Sequence, residues 1–377
     1  MSASDNDPAP LVAHSPLRDP VAALREALSA ILRGLVAAGC GPHHLTGMVW
    51  ESADPAAFHP ARHEVDLAWR EVFAGFRPLI TLRTGANEGL TVRASFAPPA
   101  APPPAEPVHA GYSLPELARQ YSPRLQTDME ALFRQWSEDG QAFRAHHRGL
   151  DLAYGPGVYE RLDLYRPQGA GCAPLWVFLH GGYWQASDKT QHAQFAKGML
   201  DAGYAVAMPN YGLAPDTPLT IIVDQVGAAL RFLAREADSL GIDPKRIHLA
   251  GHSAGGHLAA MAVLDPQAPP VRSALLLSGL FDLAPLRFLP LGRLLGLDDP
   301  ALAARLSPLG HPPPRGLRIS VAVGEKESDE FKRQSRAIAE AWGAPAPLIA
   351  TDRHHFSLLE ELNGGALLDL ALATATG

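Results

Sequence analysis

From about Gly111 to the C-terminus the chain repeats one pattern: a short unbroken apolar run, an exit marked by Gly or Pro, then a stretch with helical spacing. The runs are Leu175 to Leu179, Ala205 to Met208, Ile247 to Ala250, Ala274 to Leu277 and Ile319 to Val323. A strand wetted on one face alternates apolar and polar residues, so unbroken runs of this kind belong to strands covered on both faces. The pattern predicts an α/β fold built on a mostly parallel sheet flanked by helices. Open sheets of this type gather ligands at the carboxyl ends of their strands, which directs attention to the loops after each run.

Composition narrows the field by exclusion. Apolar residues make up 47% of the chain and charged residues 19%, a folded rather than disordered balance. A net charge of −7 with no basic run argues against a nucleic-acid partner. Cys40 and Cys172 lack Cys-x-x-Cys spacing and are read as buried or half-buried thiols, not as a disulfide framework or thiolate metal site. The first residues, MSASDNDPAP, lack the basic and apolar regions of a secretory signal. The longest apolar stretch, Ser273 to Leu297, is broken by Asp282, Arg287, Arg293 and prolines, so no membrane span is expected and the cytoplasm is the expected compartment.

Pro98, Pro99, Pro102, Pro103, Pro104 and Pro107 mark a linker, placed at residues 98–110, between a small α+β domain (1–97) and the larger α/β domain (111–377). In the small domain Asp19 and Pro20 stand at N-cap and first-turn positions, Leu24, Leu28, Ile31 and Leu35 recur at helical spacing, and Gly39 closes the segment. A strand over Leu45 to Trp50, a helix from about Pro60 to Phe73 and strands over Leu79 to Arg83 and Leu90 to Phe96 follow. This α-β-α-β-β order, with "LRGLVAAG" and "FHPARHEVDLAWREVFAGFRPLITL", resembles the second half of the Rid (YjgF-like) family of imine deaminases. That resemblance implies a substrate arginine in a Pro-Ala-Arg segment. Here the stretch reads Pro78-Leu79-Ile80 and an opening hairpin is missing, so a non-catalytic domain used for homo-oligomeric association is expected.

The chemistry is concentrated downstream. Gly251-His252-Ser253-Ala254-Gly255 follows one buried strand and opens an apolar helix from about Ala254 to Val263. A G-x-S-x-G pentapeptide between a strand and a helix is a nucleophile elbow, in which small neighbours let a serine occupy a strained turn. His180-Gly181-Gly182-Tyr183-Trp184 follows the strand Leu175 to Leu179, where an α/β-hydrolase carries its oxyanion loop. Gly181, Gly182, Tyr183 and Ala254 are the candidate oxyanion residues, His180 a brace for the loop, and Tyr183 or Trp184 an aromatic wall for substrate. A base and an orienting acid must come later in the chain. His354 and His355 compete for the first role and Glu325, Glu327 and Asp329 for the second, with Asp282 behind them; spacing alone does not rank them. The HH pairs lack the spacing of a zinc helix and no phosphate-binding glycine loop occurs, so neither a metal nor another cofactor is expected.

"HGGYWQASDKTQ", "YGLAPDTPL", "GHSAGGHLAAM", "SGLFDLAPL", "VGEKESDEFKRQS" and a late "HF" together resemble the kynurenine formamidase (arylformamidase) branch of the α/β-hydrolases, from about Tyr121 onward. The resemblance implies the α/β-hydrolase fold with a small cap, and a triad of Ser253, Glu327 and His355, with Asp329 as the substitute acid. It implies hydrolysis of an N-formyl arylamine, a small molecule, through a formyl-serine. A carboxylesterase of the hormone-sensitive-lipase type would use the same triad, and a catalytically inactive binding protein on this fold is the third alternative.

Overall fold

The structure is a computed structural model that describes residues 9–38, 40, 45–58, 60–61, 64–65, 68–69, 72, 79–85, 89–96, 107–127, 129–169 and 171–376. The chain divides into two compact units, Met1–Pro107 and Val108–Gly377.

The first unit holds β1 (Leu11–Ser15), the helix Pro20–Ala37, β2 (Leu45–Ser52), β3 (Leu79–Thr84) and β4 (Leu90–Phe96), in the sheet order β1-β4-β2-β3. Asp19 caps the helix, its Oδ1 accepting from the Ala22 amide at 2.7 Å. Leu24, Leu28, Ile31 and Leu35 form its buried stripe and pack with Met48, Trp50, Leu90 and Val92 of the sheet. One expectation needs correction. The predicted order lacked β1, and β1 pairs antiparallel with β4 from Leu11↔Ala94 to Ser15↔Leu90, closing an edge that order left open. Its five residues carry too little alternation to stand out, and its pairing with a distant strand defines it. Glu64, Val65, Ala68, Trp69 and Val72 are helical where a helix was expected. Gly39, Pro78 and residues 98–106 of the expected linker lie outside the described residues. Within the rest of that linker, His109 forms a short bridge with Tyr112.

The second unit is an α/β-hydrolase fold. Its sheet contains β5 (Leu150–Ala153), β6 (Arg161–Tyr165), β7 (Ala173–Leu179), β8 (Ala205–Pro209), β9 (Ile242–His252), β10 (Val271–Leu277), β11 (Arg318–Gly324) and β12 (Leu348–Ala350). Their order is β12-β11-β10-β9-β7-β8-β6-β5, antiparallel at the β5 and β6 end and parallel from β8 to β12. The five predicted apolar runs fall within β7 to β11. β9 begins earlier than its apolar run suggests, because Asp243 still pairs with Pro174 before the register shifts at Leu175↔Ile247. Among the described residues no helix is long and apolar enough to cross a membrane. Cys40 is buried, whereas Cys172 is exposed, contrary to the expectation for it.

Candidate active site

β9, in the middle of the sheet between β7 and β10, ends at His252, and the helix Ala254–Leu264 starts one residue later. Ser253 alone makes the turn, with φ 57° and ψ −120°, a conformation that costs a non-glycine residue on the order of 1–3 kcal/mol. Its amide donates to Leu277 O at 2.9 Å, and the residue is only 3% exposed. Such tight entry needs bare backbone beside it. A Cβ on Gly255 would fall 2.0 Å from Leu179 O, so the helix lies directly against the end of β7.

The loop after β7 lies on this elbow. A Cβ on Gly181 would sit 3.1 Å from both Ser253 Cβ and His252 O. Gly182, Tyr183 and Trp184 all have positive φ (116°, 52° and 58°), and Gly182 O accepts from the amides of Gln185 and Ala186 at 3.0 Å. Among the described residues, the Gly182 and Tyr183 amides donate to no backbone carbonyl. With Ala254, whose amide is one of those a helix leaves unpaired in its first turn, they can serve a developing oxyanion. His180 is buried; its Nδ1 donates to Gly181 O at 2.8 Å, its ring stacks on Tyr211 at 4.4 Å, and its carbonyl accepts from Tyr211 Oη at 2.7 Å.

Trp184 departs from its expected place. The residue is 0% exposed, its Nε1 donates to His257 Nδ1 at 3.2 Å, and it packs edge-on against that ring at 5.0 Å, so it belongs to the interior and not to a substrate wall. His257 Nε2 donates in turn to Leu306 O at 2.8 Å, and burial pushes this histidine down to about 4. Tyr183 has its hydroxyl spent on Tyr121 O at 2.6 Å, and burial raises its phenol above the ordinary tyrosine value.

Glu327 and His355 come from the turns that follow β11 and β12. Main-chain bonds join these turns, Glu325 N to Ala350 O and Lys326 N to Arg353 O, both at 2.9 Å. His355 Nδ1 donates to Glu327 Oε2 at 2.7 Å, with the two residues 1% and 4% exposed. Glu327 Oε1 accepts from Ser278 Oγ at 2.5 Å and from the Gly324 amide at 2.7 Å. The carboxylate is thus fully engaged and the imidazole fixed with Nδ1 protonated, leaving Nε2 as the basic atom. The buried His252 ties this pair to the elbow: its Nε2 donates to His355 O at 2.7 Å and the two rings lie 4.6 Å apart. Burial and the neighbouring His355 hold His252 well below the usual histidine value.

The other candidates are occupied elsewhere. His354 Nδ1 accepts from the Phe356 and Ser357 amides at 3.3 and 3.4 Å. Asp329 is the first residue of the helix Asp329–Ala341, and Glu325 accepts from the Asp352 amide at 2.8 Å. Asp282 faces Arg333 at 3.4 Å. Sequence reasoning missed Ser278 and His252, which signal nothing on their own; Ser278 has φ 47° and a strand-end position one residue after β10 that place it beside Glu327.

Known proteins resemble the chain at the level of family and fold. The BD-FAE family matches residues 162–271. A kynurenine formamidase from Salmo salar is 31% identical over 232 residues, 57% of this chain and 77% of that protein. Among solved structures, a candidate thioesterase from Silicibacter sp. TM1040 is 34% identical with a TM-score of 0.59, covering 63% of this chain and 92% of that one. A hyperthermophilic esterase from Pyrobaculum calidifontis shares the fold, with 21% identity, a TM-score of 0.52 and coverage of 69% and 97%. At 31% identity over 77% of the Salmo salar enzyme, the chain belongs to the kynurenine formamidase family of α/β-hydrolases.

Proposed function

We propose that the protein hydrolyses an N-formyl arylamine, of which N-formylkynurenine is the type, with Ser253 as nucleophile, His355 as base and Glu327 as orienting acid. The carrying observation is the buried 2.7 Å Glu327–His355 pair joined through His252 to the strained Ser253 elbow. The Salmo salar relative, a kynurenine formamidase, supports the substrate class. His355 Nε2 takes the hydroxyl proton as Ser253 Oγ attacks the formyl carbon. The resulting oxyanion is held by the Gly182, Tyr183 and Ala254 amides, with Gly181 keeping the loop flush against the elbow. The imidazolium then protonates the departing aniline nitrogen, and the C–N bond breaks to leave a formyl-serine. Water, deprotonated by His355, attacks that ester, releasing formate and restoring Ser253. Glu327 stabilises the imidazolium in both halves without taking its proton.

The test is a rate comparison on purified protein between N-formylkynurenine and p-nitrophenyl esters of increasing acyl length. A kcat/KM for the formamide far above that for every ester is expected. Equal or better ester turnover would assign the site to small esters, the reading favoured by the esterase relatives, and turnover of neither would make the unit a binding protein.

The compartment that fits this activity is the cytoplasm. For the first unit we propose association with further copies of the chain. The sheet face turned away from its helix carries Val12, 51% exposed, beside the paired His14 and Thr91 side chains. Light scattering on the full chain is expected to give a multiple of 40.2 kDa, reduced by Val12→Glu with activity retained. A monomer in both cases would remove the proposal.

A further inference from the structure

Resting on the assignment of Ser253 and its oxyanion loop above, we propose that Tyr121 and Tyr183 form a positioning clamp that holds the oxyanion amides in register with the acid–base side of the site. The starting point is strain without an evident local cause. Tyr183 and Trp184 are not glycine, yet both hold positive φ, and the Tyr183 amide is one of the groups required to face the oxyanion. Trp184 is pinned by its bond to the buried His257. Tyr183 has one polar side-chain atom, and that atom donates to Tyr121 O at 2.6 Å.

Tyr121 is itself anchored on the other side of the site. It is 6% exposed and follows the helix Leu114–Gln120, which carries a capping box at Ser113 and Glu116. Its hydroxyl donates to Glu330 Oε1 at 2.7 Å and accepts from Gln334 Nε2 at 2.7 Å. Glu330 is paired with Arg333 at 2.7 Å, and Gln334 Oε1 accepts from the Phe281 and Asp282 amides at 2.6 and 2.9 Å. The preceding residue, Gln120, bonds the same turn through Ser328 Oγ and the Glu330 amide. The Tyr121 ring meets Phe331 edge-on at 6.2 Å, and Phe331 lies 4.6 Å from His355. One residue therefore touches the oxyanion loop through its carbonyl, the helix after Glu327 through its hydroxyl, and the residue beneath His355 through its ring.

The two hydroxyls act in series. Tyr183 holds the loop to the Tyr121 carbonyl, and the Tyr121 hydroxyl holds that carbonyl in place. Once Tyr183→Phe has cut the first link, cutting the second with Tyr121→Phe has little more to release. Both substitutions keep the ring, so the packing on Phe331 persists. Kinetics of wild type, both single variants and the double variant decide the matter, each on an aryl formamide and on p-nitrophenyl acetate, since both substrates form an oxyanion. Tyr183→Phe is expected to lower kcat about tenfold with KM within about twofold, less than loss of a whole oxyanion donor. Tyr121→Phe is expected to lower kcat about threefold, and the double variant to match Tyr183→Phe within about twofold. Effects that multiply to about thirtyfold would show independent residues and overturn the clamp. An unchanged kcat with raised KM would overturn it too, by making Tyr183 a substrate contact. Wild-type turnover of the ester alone would defeat the formamidase reading while leaving the clamp testable on that ester.

Discussion

The two units handle polar groups in opposite ways. In the first, the described residues bury a helix stripe against a sheet, and the buried polar side chains are two serines, Ser15 and Ser52. In the second, histidines, carboxylates and amides are buried throughout: His180, His252, His257, Glu327, Glu330, Gln334 and His355 are all under 9% exposed. Backbone strain follows the same division, since Tyr183, Trp184, Ser253 and Ser278 hold positive φ in the second unit and no described non-glycine residue of the first does. A buried polar group costs stability unless it is hydrogen-bonded, and a left-handed residue costs stability in any case. A fold retains both where they position reacting groups. Their distribution therefore separates the unit that carries chemistry from the one that carries packing.

The sharpest way to break this comparison is through Ser253. Ser253→Ala is expected to lower kcat on the order of 10⁵- to 10⁶-fold with the thermal midpoint unchanged or raised, and His355→Ala to be comparable because triad members act as a unit. A variant with a tenth of wild-type kcat would refute the assignment. His354→Ala should be mild, and reversed phenotypes for the two histidines would exchange their roles. Glu327→Gln is expected to cost about 10⁴-fold in kcat through a misoriented imidazole, while Asp329→Asn leaves saturating turnover nearly intact; the reverse would move the acid two residues along the chain. In the first unit, Leu28→Ala should cost about 2–5 kcal/mol in denaturant unfolding and leave kcat unchanged, and a parallel loss of turnover would erase the division between the units.

The last effect is a slope. Burial pushes His192 down to about 3 and His257 to about 4 from a starting value of 6.5. Below pH 6.5 the unfolded chain binds protons that these folded-state rings refuse, so their contribution is intact above pH 6.5 and declines as pH falls. Each removes on the order of 1 kcal/mol per pH unit as pH falls below 6.5. Denaturant midpoints measured at pH 7, 6 and 5 should decrease in that order; flat midpoints would mean that the rings are hydrated.

Strands β7 to β11 and the elbow were legible because apolar runs and a glycine-flanked serine are local signals, whereas β5 and β6 carry no such run. The acid was less so. Glu327 and Asp329 stand two residues apart, and the decision lies in Ser328, which caps the following helix and so leaves Glu327 in the turn and draws Asp329 into the first helical turn. A serine followed by two acids and an amphipathic helix is an N-cap signal present in the sequence. Trp184 was misplaced because no local pattern distinguishes an indole facing substrate from one facing His257, forty-odd residues beyond the next strand. β1 and the Tyr121 contacts depend on partners far along the chain, and contacts of that range leave no periodicity to read.

The closeness of main chain around Ser253 also limits how this site can diversify. A Cβ on Gly255 would fall 2.0 Å from Leu179 O, and one on Gly181 would press at 3.1 Å on His252 and Ser253, so a side chain at either place displaces backbone or the nucleophile. The reacting platform thus offers no position at which substitution could grade substrate preference. Change in what the enzyme accepts must be written from Tyr183 outward, in the segments that overlie the platform. Relatives that differ in substrate are accordingly expected to share the elbow and the glycine loop while diverging around Leu114–Gln120, so that new activities arise by redrawing the entrance to an invariant machine.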